Sequence, residues 1–145
     1  MRGKITFVMP TRVWVTLGDT IGAEELADWF AADIQYGKSN VDDWLRDLAA
    51  VQAGTEPDGY FGAGNAHDLC SNRDYVFLQC LFVPEGKVLM THAQARDVLA
   101  KYRAFLEHGW DDSTNPPQPF EVEYLAEGKE AERRAKQAGM DFIEI

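Results

Sequence analysis

The segment Asn65-Ala66-His67-Asp68-Leu69-Cys70 brings together an imidazole, a carboxylate and a thiol. A cysteine nucleophile needs a thiolate and a nearby imidazole to generate it. Such partners usually come from separate parts of a chain, and no nucleophile elbow or other enzyme signature accompanies these residues. The pattern therefore assigns no catalytic residue. Asn65, His67, Asp68 and Cys70 stand as a candidate loop site, with hydrogen bonding inside their own loop as the simpler role. His67 and Cys70 also form an isolated H-x-x-C. A structural zinc centre needs four ligands at characteristic spacing, and His92 and His108 lie far along the chain, so neither a metal nor a cofactor is expected. Gly59, Gly62 and Gly64 suggest a phosphate cradle, but that motif follows a strand and opens a helix. Here a helical pattern precedes the glycines and a strand follows, so their expected role is to supply turns of positive φ.

Carboxylates are the second chemical resource. The chain has 145 residues and a formal net charge of −10, which disfavours nucleic-acid phosphates and anionic membranes as partners. Between Ile5 and Asn72 eleven acids face three bases, whereas residues 129–145 balance at four each. A basic partner would be drawn to the first half. Glu24 with Asp28, and Asp43 with Asp47, fall at i,i+4 spacing and so line up in rows on their helices. These four, with Trp110 beside Asp111 and Asp112, are the candidate partner contacts. Asp33 falls within an apolar helical stripe. A carboxylate buried there would need a cation, and the expectation is that the helix frays first and lets it reach water.

These groups must be positioned by a single α+β domain spanning residues 1–145, a length that supports a core without staples. The two cysteines make no disulfide framework, and Cys80, inside an apolar run, reads as a small buried hydrophobe. No stretch is long and apolar enough to cross a bilayer, and Met1-Arg2-Gly3-Lys4 leads into a strand pattern rather than a signal core, so a cytoplasmic location is expected. Ile5–Met9 and Arg12–Leu17 read as strands around Pro10-Thr11. Leu26, Trp29, Phe30 and Ile34 share one face of a helix that runs from Gly22 to near Gly37, with Ile21 placed to staple onto Leu26. Ser39 and Asp42 suggest the cap of a second helix ending at Gly54.

Residues 54–74 show no sustained period and read as a long loop. Tyr75–Val83 is nearly continuously apolar, as a central strand covered on both faces would be, and Pro84-Glu85-Gly86 turns it back into Lys87–Met90. Thr91 and Gln94 form a capping box for a third helix that stops at Gly109. Phe120–Leu125 alternates as an edge strand. Residues 127–145 complete the chain as a peripheral helix and tail. That helix carries Glu130–Arg134 and Glu132–Lys136 pairs, and only Ala131, Ala135 and Ala138 on its apolar side, so it packs either weakly or very closely. The expected architecture is a largely antiparallel sheet packed against amphipathic helices.

The run Asp42-Asp43-Trp44-Leu45-Arg46-Asp47-Leu48, followed by the Tyr75–Val88 hairpin, resembles the small acidic immunity proteins of bacterial contact-dependent inhibition systems across residues 40–106. The resemblance implies a protein that sequesters a basic toxin domain, often a nuclease, by covering its active site. Independently, an acidic surface raises the on-rate for a basic groove through complementary potentials. The leading expectation is thus an acidic protein-binding module that engages a basic protein partner without catalysis. Two alternatives stay open: a small enzyme or ligand-binding domain with its site in the 54–74 loop, and an oligomerisation module.

Overall fold

The computed structural model describes residues 1–55 and 60–140. Its elements run β1 (Arg2–Val8), β2 (Val15–Gly18), α1 (Ile21–Trp29), a π-helical turn (Phe30–Ile34), α2 (Lys38–Ala53), β3 (Tyr60–Ala63), β4 (His67–Ser71), β5 (Tyr75–Cys80), β6 (Lys87–Thr91), α3 (His92–His108), β7 (Phe120–Glu123), β8 (Ala126–Glu127) and α4 (Gly128–Gln137). The strands form two antiparallel sheets, ordered β2-β1-β7 and β3-β4-β5-β6-β8. The fold is α+β, as the order of elements implies.

The five-stranded sheet is covered on both faces. Register places His67 opposite Cys80, Leu69 opposite Leu78, Ser71 opposite Val76, and Val76 and Leu78 opposite Met90 and Val88. Side chains alternate along a strand, so these residues share one face. Leu69, Val76, Leu78, Val88 and Met90 join the main core with Leu26, Phe30, Val41 and Leu99 from the first three helices and Ile5 and Val122 from the smaller sheet. Cys70, Phe77 and Leu89 occupy the other face and pack against Ala131, Ala135 and Met140. Two covered faces are why Tyr75–Cys80 carries no polar alternation, and β5 is the middle strand of five.

Several boundaries differ from the sequence reading, each for a physical reason. Residues 54–74 are not one long loop, because β3 and β4 form a hairpin there. The polar character of His-Asp-Leu-Cys-Ser hides β4, whose His67 is buried in a charged environment rather than exposed on a turn. The apolar run of β5 ends at Cys80: Leu81 N–H donates to Ala66 O at 2.8 Å, and Phe82, 75% exposed, leaves the sheet. Ser39 does not cap α2. Gln35, at φ 60, turns the chain, the cap position falls on Gly37, and Asn40 Nδ2 bonds Ile34 O at 3.0 Å instead. Ile21 is 49% exposed rather than stapled onto Leu26, and Thr20 caps α1 by accepting from Ala23 N–H. The capping box of Thr91 and Gln94 is present, and Gly109 at φ 114 ends α3. β7 is an edge strand.

On α4, Glu130 pairs with Arg133 rather than Arg134, whose guanidinium donates to Leu125 O at 3.2 Å; Lys136 and Glu132 do pair, at 3.3 Å. Its alanines pack closely, since Ala131 and Ala135 are buried against the sheet. The expected tail beyond Met140 lies outside the described residues. Overpacking a close seam of this kind costs about 1–3 kcal/mol. Ala135→Leu should therefore lower the unfolding free energy from urea titration by about 1–3 kcal/mol, whereas exposed Lys129→Ala should stay within about 0.5 kcal/mol of the parent.

Candidate functional site

A buried imidazole held between two carboxylates forms the chemical centre of the structure. Glu25 projects from α1, where Leu26, Trp29 and Phe30 fix the buried helix face. The helix then widens into the π turn Phe30–Ile34, stabilised where the Tyr102 hydroxyl donates to Phe30 O at 3.4 Å and to Gln35 O. Single π turns often occur at functional sites, because the extra residue re-aims a side chain. Here the side chain is Asp33, whose Oδ1 accepts from Ala66 N–H at 2.9 Å and whose Oδ2 accepts from His67 N–H at 3.0 Å. Its side chain is 1% exposed. The expected fraying does not occur: Asp33 stays inside because the backbone donors and the imidazole of β4 meet it there.

His67 is 2% exposed. Its Nε2 lies 3.1 Å from Glu25 Oε2, and its Nδ1 lies 3.4 Å from Asp33 Oδ2. Burial pulls the imidazole pKa down, but hydrogen bonds and charge from Asp33 and Glu25 outweigh it and hold the pKa at about 9. The ring is an imidazolium at neutral pH. Asp68 and Asp28 also feel this charge. Directly opposite His67 on β5 is Cys80, whose Sγ accepts from Phe82 N–H at 3.5 Å. The donor atoms of Glu25, His67 and Cys80 all lie within 4.8 Å of one another.

Two glycines allow this approach. A Cβ on Gly64 would lie 2.3 Å from Asp33 Oδ2, and one on Gly86 would lie 2.3 Å from Glu25 Oε1 and 2.8 Å from Cys80 Cβ. Close packing, not a positive φ, is what Gly64 provides; among the described glycines positive φ occurs at Gly54, Gly109, Gly128 and Gly139. Gly59 lies outside the described residues.

The sequence-derived site residues separate. Asn65 Nδ2 bonds Ala32 O at 2.9 Å, tying the β3–β4 turn to the π turn. Asp68 and Cys70 project from the face of β4 opposite to His67, and Cys70 sits in the α4 cluster. Burial pushes its thiol up to about 12, so it is an unreactive thiol at neutral pH. His67 and Cys70 therefore do not form a nucleophile and base. Sequence reading overlooked the His67–Cys80 juxtaposition, for which the only signal was the pairing register of two strands, one of them hidden.

An open cleft of about 600 Å³ adjoins this cluster, lined by Asp19, Glu24, Glu25, Glu85 and Glu127 together with Ile21 and Val83. Glu24 accepts from Gly18 N–H at 3.0 Å, Asp19 from Lys4 N–H at 2.7 Å, and Glu127 from Gly22 N–H at 3.3 Å and from the Tyr124 hydroxyl. Among the described residues, none of the five forms an ion pair with a lysine or arginine. Asp28 neighbours Glu24 on α1. Partial burial of its carboxyl, then the charges of Glu24 and Glu25, raise its pKa to about 6. Asp43 and Asp47 differ, because Arg46 lies between them at 3.1 and 3.5 Å. Trp110 is half-buried and stacked on Tyr36 at a ring separation of 4.4 Å. Among the described residues no helix is long and apolar enough to cross a membrane.

Comparison of the chain with protein-family models, curated proteins and solved structures finds no match in any of the three.

Removing one partner from a buried charge pair costs about 3–5 kcal/mol, and Asp33→Asn should destabilise the protein by an amount of that order at pH 7. Because the folded-state pKa of His67 lies above 6.5, its contribution is complete below that pH and is lost as pH rises towards 9. In EDTA, the urea midpoint should fall between pH 6.5 and 9, and this fall should flatten in His67→Gln.

Proposed function

We propose that the chain is an acidic protein-binding module of the immunity or inhibitor type, which engages a basic partner such as a nuclease-like toxin domain and performs no catalysis itself. The supporting observation is the cleft between the β2–α1 turn and the Val83–Gly86 turn, where Asp19, Glu24, Glu85 and Glu127 gather, among the described residues, without a cationic partner, beside Glu25, which His67 already pairs. A basic side chain from a partner would supply the missing charge. Exposed Ile21 and Val83 at the rim, 49% and 45% accessible, would meet its aliphatic stem.

Asp28 adds a second support. Its carboxyl is crowded by Glu24 and Glu25 and ionises reluctantly, a condition that an incoming cation relieves. The fold tolerates this repulsion although a neutral residue would remove it, which is the pattern of a site where stability and function oppose each other. Asp43 and Asp47 have a weaker claim, since Arg46 already offsets them. Trp110 retains a partly open edge as an auxiliary contact.

Co-expression with the products of neighbouring open reading frames, followed by pull-down, should recover a basic protein whose association rate falls steeply with salt. Glu24→Lys with Asp28→Lys should slow association by about tenfold or more, and the same reversals at Asp43 and Asp47 should have a smaller effect. Binding indifferent to the first pair of reversals would overturn the cleft assignment. Asp28 carries a raised folded-state pKa, so its contribution to stability is complete below 3.8 and lost as pH rises through about 6. Asp28→Asn should therefore raise the melting temperature at pH 7.5, leave it little changed at pH 3.5, and weaken partner binding.

A further inference from the structure

We infer that Glu25, His67 and Cys80 form a binding site for a single borderline divalent cation, of which zinc is the type. The three side chains come from α1, β4 and β5, all are buried, and their donor atoms lie within 4.8 Å of one another. One carboxylate oxygen, one imidazole nitrogen and one thiolate sulfur are together a donor set that hard cations such as magnesium and calcium do not select. The 3.1 Å between Glu25 Oε2 and His67 Nε2 is close to the roughly 3.4 Å edge of a tetrahedron built on metal–ligand bonds of about 2.1 Å.

The surroundings are those of a ligated metal as well as of an ion pair. A histidine that binds metal through one ring nitrogen normally presents the other to a carboxylate, which fixes the ring. His67 Nδ1 is buried without a hydrogen-bond partner and lies 3.4 Å from Asp33 Oδ2, close enough for a small ring rotation on metal binding to make that bond, and Asp33 is itself held by two backbone N–H groups. Cys80 Sγ accepts a backbone N–H from Phe82, the kind of outer bond that supports a coordinated thiolate. Gly86 lets Glu25 and Cys80 approach its backbone, since a Cβ there would overlap both side chains. Glu25 and Gly86 also line the acidic cleft, which gives a cation an electrostatically favourable entry. On binding, the cation replaces the thiol proton of Cys80 and the Nε2 proton of His67, and both protons pass to solvent. The inference stands apart from the partner-binding reading: His67 and Cys80 lie outside the cleft lining, and Glu25, which the two readings share, enters here through its buried contact with His67.

Cobalt(II) is the probe. The full chain, reduced and stripped with EDTA that is then removed by dialysis, is titrated with Co2+ under exclusion of oxygen. The expected result is one equivalent bound with a near-ultraviolet thiolate-to-cobalt charge-transfer band and the visible bands of a four-coordinate ion, all displaced by Zn2+. Cys80→Ser should lose the charge-transfer band, whereas Cys70→Ser, altered on the opposite face of the sheet, should keep it. Asp33→Asn should retain the band and lower zinc affinity by about 10–100-fold, and circular dichroism establishes that each variant is folded. Absence of the band from the wild-type chain overturns the inference by itself. So does a band that persists in Cys80→Ser or disappears in Cys70→Ser.

Discussion

A charged imidazole cannot be taken out of water unless something inside the protein replaces its hydration. In this chain Glu25 and Asp33 do so, and much of the architecture follows from bringing them to opposite edges of one ring. Glu25 is delivered by a regular helix and Asp33 by the π turn that follows it. The imidazole is delivered by β4. Because each carboxylate would itself be costly in isolation, the three groups are mutually dependent. They join the α1 segment to a strand more than thirty residues further along the sequence. The backbone N–H groups of Ala66 and His67, which donate to Asp33, strengthen the same junction at the point where β4 begins.

That junction occupies one face of a sheet whose other face holds a separate apolar cluster beneath α4. The two cysteines divide accordingly. Cys80 faces the helices and the charged cluster, while Cys70 lies among Phe77, Leu89 and the alanines of α4. Although the two residues are ten apart in sequence and both buried, the chemistry open to them is opposite. The small side chains of α4 let its backbone approach the sheet, so a helix with little apolar surface of its own can still close the second face.

The acidic cleft and the buried cluster meet at Glu25, and each affects the other. Carboxylates around an open cleft raise the local negative potential, which favours an imidazolium or a metal ion in the interior and any basic group at the mouth. The exposed turn Phe82–Glu85 forms one wall because the chain leaves the sheet at Cys80. The other wall is set by Thr20, Tyr124 and Glu127, whose hydroxyl and carboxylate groups are linked by hydrogen bonds.

The sequence by itself determined the α+β class, the central position of Tyr75–Cys80, the hairpin into β6, the capped third helix and the edge strand at Phe120. Local signals carry all of these: apolar period, Thr-x-x-Gln caps, and Pro or Gly at turns. It also placed Asp33 in an apolar stripe where a buried carboxylate needs a cation, although the local pattern pointed to a frayed helix end and a solvated side chain. Only the tertiary structure decided which cation that is, because no local pattern says that a π turn will aim Asp33 at residues 66 and 67. It likewise decided that residues 60–63 and 67–71 are strands, since the polar residues of β4 are buried by partners distant in sequence. Strand register then selected Cys80 rather than the neighbouring Cys70 for His67: alternation turns Cys70 to the other face, while antiparallel pairing sets Cys80 directly opposite. Rows of acids were legible in the first half of the chain, as was Arg46 between Asp43 and Asp47 on one helix, but only folding gathered Asp19, Glu24, Glu85 and Glu127 around one cleft. Charge along a chain is fixed by composition; the potential at a surface depends on which charges the fold brings together and which it pairs.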